Sequence, residues 1–325
     1  MNNKLFPVFI AATCAALAFI SCGGRAPNQI RVVLDWTPNT NHTGLYAALD
    51  KGWFAEEGLT VEVVQPPENG GLVLVGSGNA EFAFDYQESL GPAIARQHDA
   101  LPVQAVAAII SHNTSGIMSL KKTGISRPRD LEGKRFATWE TPIVAPIIKE
   151  IVENDGGNFG AVRMIPNFAT DAFSALETDI DAIWVYYAWD GIAAEVNGIA
   201  VNYIDLGRID PRFDFYTPVL VANTNWLNGN SETAKKFLRA ASRGYAFAVE
   251  APLAAGDILL KHAPELDRSL VMRSQEYLAP RYQDDSPRWG EIDPERWSRF
   301  YRWMYEQGLL EKDIGASGFN NEYLP

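Results

Sequence analysis

Five short segments of the sequence combine aromatic rings with amides and carboxyls, and each follows an apolar run. Asp35, Trp36, Asn39, Asn41 and His42 follow IRVVL, and Asp85, Tyr86, Gln87 and Glu88 follow Phe82–Phe84. Ser111, His112, Asn113 and Thr114 follow AVAAII. Trp139, Glu140 and Thr141 follow RFAT, and Tyr186, Tyr187, Trp189 and Asp190 follow DAIW. Such rings hold a flat heterocycle between their faces, while amides and carboxyls read its edges. The acids Asp35, Asp85, Glu88, Glu140 and Asp190 oppose a polyanionic ligand and suit a donor-rich one, such as an aminopyrimidine. The expected ligand-binding set is Asp35, Trp36, Asn39, His42, Tyr86, Gln87, Glu88, Asn113, Trp139, Glu140, Thr141, Tyr186 and Trp189.

Several of these residues have a second reading. Asp35 suits the cap of a following helix, and Trp36 suits a packing position on a rim. Strand alternation turns one of Tyr186 and Tyr187 inward. Thr141 before Pro142 predicts a helix start, with Thr141 as N-cap and Pro142 first in the helix. That end would offer free N–H groups and partial positive charge to a carbonyl or an anion.

Other chemistries find little support. The histidines, His42, His98, His112 and His262, lack metal-ligand spacing, so no metal is expected. No Ser-His-Asp elbow or phosphate loop is present, and Gly76-Ser77-Gly78 reads as a turn. No catalytic residue or cofactor is expected. The formal charge of −12 opposes a nucleic-acid or anionic-membrane surface.

The elements that would position these groups alternate. Strand runs such as IRVVL, LTVEVV, PVQAVAAII and DAIWVYY are separated by helical stretches such as TGLYAALDKGWF and IVAPIIKEIVEN. This alternation predicts an α/β fold with largely parallel sheets. Two such sets in 325 residues predict two lobes around a ligand cleft, crossed twice by the chain. The expected boundaries put residues 30–117 and 219–325 in one lobe and 118–218 in the other. Hinges are expected near Ile117–Leu120 and Tyr216–Val219. The C-terminal third reads as helical, with Ser231 as the N-cap of a long helix. Ligands in open α/β sheets lie beyond the carboxyl ends of the strands, where the five polar segments fall.

At the N-terminus Lys4 precedes an apolar run from Leu5 to Ile20, then Ser21 and Cys22. This reads as a secretory signal over residues 1–21, with a tether over 22–29. The Cys placement resembles a bacterial lipoprotein signal, which implies cleavage before Cys22 and lipidation of its thiol; Phe19 stands where that pattern prefers Leu. The second cysteine, Cys14, leaves with the signal, so the mature body has neither a disulfide framework nor a thiolate site.

Taken together, LDWTPNTNHTGLYAALDKGWFAEEGL, GSGNAEFAFDYQESL, DLEGKRFATWETP and DAIWVYYAW resemble the class of periplasmic-binding-protein-like proteins that bind thiamine pyrimidine precursors. The resemblance spans nearly the whole mature chain. It implies a type II periplasmic-binding-protein fold and a monomer, held at the cell envelope only by its lipid, on the periplasmic or extracellular face. It also implies the permease and ATPase subunits of an ATP-binding-cassette importer as partners. Hydroxymethylpyrimidine and its formylamino precursor are the implied ligands, and riboflavin, bound by close relatives, is the alternative. The superfamily also contains an enzyme that makes the pyrimidine phosphate, with a lysine-bound pyridoxal phosphate, a consumed histidine and a cysteine-rich iron motif. Here Asp85 stands where the lysine would be and Ser89 where the histidine would be, and there is no cysteine cluster. The chain is therefore expected not to be an enzyme.

Overall fold

The computed structural model describes residues 28–67, 70–138, 141–166 and 172–325. The signal, Cys22 and most of the tether lie outside these residues, as do Trp139 and Glu140.

The apolar runs form ten strands. In chain order they begin with β1 (Gln29–Val33), β2 (Thr60–Val64), β3 (Phe82–Asp85) and β4 (Val103–Ala108). There follow β5 (Ser115–Leu120), β6 (Arg135–Thr138), β7 (Arg163–Pro166), β8 (Ala182–Tyr186), β9 (Val201–Asp205) and β10 (Val219–Asn223). One sheet has the order β2-β1-β3-β10-β4 and the other β7-β6-β8-β5-β9. β1 is parallel to β2 and β3, and β6 is parallel to β7 and β8. β10 runs antiparallel between β3 and β4, and β5 antiparallel between β8 and β9. In each sheet the reversed strand is the first one after a crossing. This is the two-lobed α/β arrangement that the alternation predicts, but the sheets are mixed rather than largely parallel, because the strand that arrives by each crossing runs against both of its neighbours.

The central strands read as apolar runs because both of their faces are covered. Every residue of β3, β5 and β10 is buried. The C-terminal helices pack on the first sheet, where Phe82 stacks on Phe237 with ring centroids 4.2 Å apart. Trp297, Phe300 and Trp303, from the helix Pro294–Glu306, share a core with Val33, Ala83 and Val219.

Three details differ from the sequence reading. The first crossing lies between Ala108 and Ser115, not at Ile117–Leu120. Ile117–Leu120 are buried and paired with β8 and β9, which supply the partners that their backbone groups need. The long helix Ser231–Glu250 takes Asn230 as its N-cap, because its first helical bond runs from the Ala234 N–H to the Asn230 carbonyl. The helix expected to start at Thr141 and Pro142 instead spans Val144–Asn154 behind Ile143. Pro146 explains the delay. In a helix begun at Pro142 it would be the fifth residue, lacking an N–H that the helix needs; the later start puts it in the first turn, where no such bond exists.

One contact sets the position of the loop after β1. A Cβ on Gly244 would stand 1.9 Å from the Gly44 carbonyl oxygen, and a Cβ on Gly44 would stand 2.3 Å from the Tyr245 ring. The helices Thr43–Asp50 and Ser231–Glu250 therefore meet backbone to backbone. Beside this contact the Tyr245 hydroxyl donates to the Asn41 carbonyl at 2.6 Å. We predict that Gly244→Ala, which forces the two helices apart, lowers the unfolding free energy by about 3 kcal/mol. Urea unfolding measures this, and an unchanged midpoint would sink the idea.

Candidate functional site

The loop after β1 spends most of its polar atoms on itself. Asn39 Oδ1 accepts the Asn41 N–H at 2.9 Å, and Asn39 Nδ2 donates to the Thr37 carbonyl at 3.1 Å. The Asn39 N–H donates to His42 Nδ1 at 3.2 Å, so the imidazole proton sits on Nε2 and is donated to Asp35 Oδ1 at 2.7 Å. His42 is fully buried, packed edge-on against Phe84. It therefore orients the Asp35 carboxylate rather than meeting a ligand itself. Trp36 is 56% exposed.

Beyond β3 the side chains separate into two roles. Gln87 is fully buried. Its Oε1 accepts the Tyr216 N–H at 2.8 Å and its Nε2 donates to the Trp297 carbonyl at 3.2 Å, so neither end of the amide is left for a ligand. Its neighbours remain available. Burial pushes the Asp85 carboxyl up to about 7, with the Asp35 charge adding to the effect, although the Tyr86 N–H donates to Asp85 at 2.8 Å. Burial likewise pushes Glu88 up to about 8, with the Asp85 charge adding, and Glu88 Oε2 is buried without a hydrogen-bond partner. No Arg or Lys forms an ion pair with Asp35, Asp85 or Glu88 among the described residues.

The second lobe presents Tyr186 to this group. Its ring faces that of Tyr86 with centroids 6.5 Å apart and planes 17° apart. Burial raises the pKa of both phenols, that of Tyr86 further through Asp35 and that of Tyr186 through Glu88. Tyr187 points elsewhere: its hydroxyl donates to Glu195 at 2.5 Å and its ring packs on Tyr203 and Tyr277. Of the two tyrosines left open by strand alternation, Tyr186 is thus the one at the cleft.

The remaining expected residues lie outside this group. Asn113 Nδ2 donates to the Phe213 carbonyl and Oδ1 accepts the Ser115 N–H, so its amide is spent at the crossing. Trp189 is half-buried and packs with the cluster of Tyr46, Leu259 and Val271. Thr141 is exposed ahead of its helix, and its carbonyl accepts the Val144 N–H. The structure therefore brings together Asp35, Tyr86, Glu88 and Tyr186 from the expected set, with Asp85 beside them. Asn39, His42, Gln87 and Asn113 are supports, and Trp139 and Glu140 lie outside the described residues.

Two residues escape sequence reasoning. Ser115 Oγ is buried without a hydrogen-bond partner, and Thr217 Oγ1 is buried with only the Tyr186 phenol beside it. Ser115 pairs across the sheet with Tyr186, and Thr217 is close enough to the Tyr186 phenol to restrain the rise in its pKa. Nothing marks a Ser at the edge of an apolar strand as a site residue until the strand pairing is known. A separate hollow of about 360 Å³, lined in part by Leu101, Val103, Thr224, Lys312 and Ile314, contains none of the unpartnered polar atoms. The cleft groups carry the chemistry.

Residues 39–255 match the family described as NMT1/THI5 like. A formylaminopyrimidine-binding protein of Halalkalibacterium halodurans is 30% identical over 323 residues, covering 97% of this chain and 95% of the relative. A 4-amino-5-hydroxymethyl-2-methylpyrimidine phosphate synthase of Aspergillus parasiticus is 24% identical, covering 91% of this chain and 87% of the relative. The crystal structure of the periplasmic aliphatic sulphonate binding protein SsuA from Escherichia coli superposes with a TM-score of 0.69 at 14% identity. That match covers 90% of this chain and 96% of the other, and it shows a common fold, that of the periplasmic binding proteins.

The raised Asp85 carboxyl predicts a pH dependence. The folded chain holds this proton more tightly than the unfolded chain, so stability falls as pH rises from about 4, where an unfolded carboxyl titrates, to about 7. Asp85→Asn removes this contribution. Denaturant unfolding across that window is expected to show a shallower decline for the variant; parallel curves would refute the assignment.

Proposed function

The chain belongs to the NMT1/THI5-like family, and on that premise we propose that it is the substrate-binding protein of an ATP-binding-cassette importer, with a thiamine pyrimidine precursor as its cargo. The observation that carries this reading is the facing pair Tyr86 and Tyr186, one ring from each lobe, beside three carboxyls that no Arg or Lys among the described residues neutralises. A flat ring between two aromatic faces needs about 7 Å, twice an ordinary carbon contact. The ring centroids now lie 6.5 Å apart, so the lobes must open for a ring to enter between them. They do so by rotation about the two crossings, residues 109–114 and 206–218. The acids disfavour sulfonate or phosphate cargo and favour a ring that brings hydrogen-bond donors.

Binding is favoured over synthesis because a carboxyl, Asp85, stands where the resemblance puts the cofactor-bearing lysine of the enzyme. The proposed location is the outer face of a membrane, with Cys22 lipidated. Among the described residues no helix is long and apolar enough to cross a membrane. The proposed partners are a permease and an ATPase.

Thermal unfolding of the domain after Cys22 tests the cargo against hydroxymethylpyrimidine, formylaminopyrimidine, riboflavin and taurine. A pyrimidine at 100 times its Kd adds about 2.7 kcal/mol to stability. A shift with riboflavin alone would replace the cargo, and a shift with taurine would overturn the reading of the acids. Tyr86→Ala is expected to weaken pyrimidine binding about tenfold, since stacking contributes roughly 0.5–1.5 kcal/mol beyond burial. Cys22→Ala is expected to abolish metabolic labelling with a fatty acid and to release the protein from the membrane fraction; retention there would exclude the anchor.

A further inference from the structure

We infer that Glu88, Ser115 and Thr217 form the subsite that reads the edge of the ligand. Glu88 acts there as a neutral carboxylic acid, and the group selects an uncharged heterocycle bearing an amino group beside a ring nitrogen. This rests on the binding function proposed above and names the ligand edge that the cleft recognises.

The first argument is unmet hydrogen bonding. Glu88 Oε2 and Ser115 Oγ are buried and unpartnered, and the buried Thr217 hydroxyl meets no protein group beyond the Tyr186 phenol. Ser115 and Thr217 are 0% and 1% exposed. Leaving one such atom unpaired costs about 1–3 kcal/mol. Nearby amides show no such deficit, since both ends of Asn39, Gln87 and Asn113 are engaged. Two unmet atoms, with a hydroxyl whose only neighbour is the Tyr186 phenol, mark a place for groups the protein does not supply.

The second argument is convergence on Tyr186. Ser115 is its cross-strand partner, and such pairs project from the same face of the sheet. The Thr217 hydroxyl meets its phenol, and Glu88 stands two residues after Tyr86, whose ring faces that of Tyr186 with centroids 6.5 Å apart. The phenol thus gathers groups from β5, from the return crossing and from the helix Gln87–Ile94.

The third argument concerns charge. The titratable groups around Glu88 are Asp85, Tyr86, Tyr186 and Tyr301, and none is a cation. Burial holds the Glu88 proton to about pH 8. A neutral carboxyl presents an O–H donor beside a carbonyl acceptor. Its complement is an acceptor beside a donor, as in a ring nitrogen next to an amino group. The Ser115 and Thr217 hydroxyls add adaptable partners for a substituent. Once ionised, Glu88 has only acceptors, and a carboxylate oxygen then faces the lone pair of the ring nitrogen.

Calorimetric titration with 4-amino-5-hydroxymethyl-2-methylpyrimidine tests this from about pH 6.5 to 9.5. For the wild type the Kd is expected to stay level to about pH 8 and then to rise about tenfold per unit. In Glu88→Gln the amide supplies a donor and an acceptor without titrating. That variant is expected to bind up to about tenfold more weakly at neutral pH, with the alkaline rise gone. Asp85 titrates near 7, below the alkaline rise, and is present in both proteins, so the difference between the two profiles isolates Glu88. Ser115→Ala and Thr217→Val are each expected to weaken binding at least fivefold, with melting temperatures near that of the wild type. An alkaline loss that persists in Glu88→Gln overturns the neutral-acid assignment, and a wild type without alkaline loss does the same even if that variant fails to fold. Full affinity in both hydroxyl variants overturns the subsite. These outcomes leave the binding function standing, whereas a wild type that ignores the pyrimidine at every pH removes both.

Discussion

The cleft depends on one carboxylate, Asp214, at which both crossings meet. Its Oδ1 accepts the Asn113 N–H at 3.0 Å and its Oδ2 pairs with His112 Nδ1 at 2.7 Å, both from the first crossing. Asn113 returns a bond to the Phe213 carbonyl at 2.7 Å. Arg296, from the helix Pro294–Glu306, approaches Asp214 and also donates to the Ser111 carbonyl. The hydrogen bond to Asp214 raises the His112 pKa against the opposing effect of burial, and the second ring nitrogen lies 3.1 Å from Asp285. A partly buried charge is costly unless its hydrogen bonds are met. Here they are met by the two segments that any lobe rotation must bend. The crossing end is thereby fixed, and movement is directed to the opposite rim. There the Ser274 hydroxyl donates to the Ala188 carbonyl while accepting from Thr40, which lightly ties the two lobes.

The division of labour in the cleft follows from side-chain chemistry. An amide has a donor and an acceptor, so it can satisfy two backbone groups where the chain turns irregularly. Asn39, Gln87 and Asn113 all do this. A carboxyl must either keep its proton or find donors, and the donors around this cleft are few. Asp85 receives backbone N–H groups from Tyr86 and Leu72 and Asp35 one imidazole proton, while Glu88 Oε2 receives nothing. The amides hold the frame, and the acids are left for the ligand.

The architecture was legible because its signal is periodic. Apolar runs alternating with amphipathic stretches specify strand and helix whatever the exact ends. The strand exits were legible for the same reason. Which side chain turns into the cleft was not, since that depends on tertiary position. Gln87 and Glu88 are adjacent and look alike in sequence, yet one is a clamp and the other stands unpaired. Trp189 looked like a cleft aromatic and is instead packing between elements. Ser115 and Thr217 gain meaning only from lying beside Tyr186. Thr141 was displaced from its expected cap by a proline five residues later.

Tyr86, Gln87 and Glu88 alternate between cleft, interior and cleft within three consecutive positions. The outer two face the cleft, whereas the middle one ties the return crossing and the C-terminal helix to the first lobe. Mutational drift through this segment is therefore filtered residue by residue. On the proposed function, a lineage can exchange the two cleft-facing groups, and with them its ligand, while the neighbouring amide stays fixed. New specificities can arise here by substitution alone, without remodelling a loop.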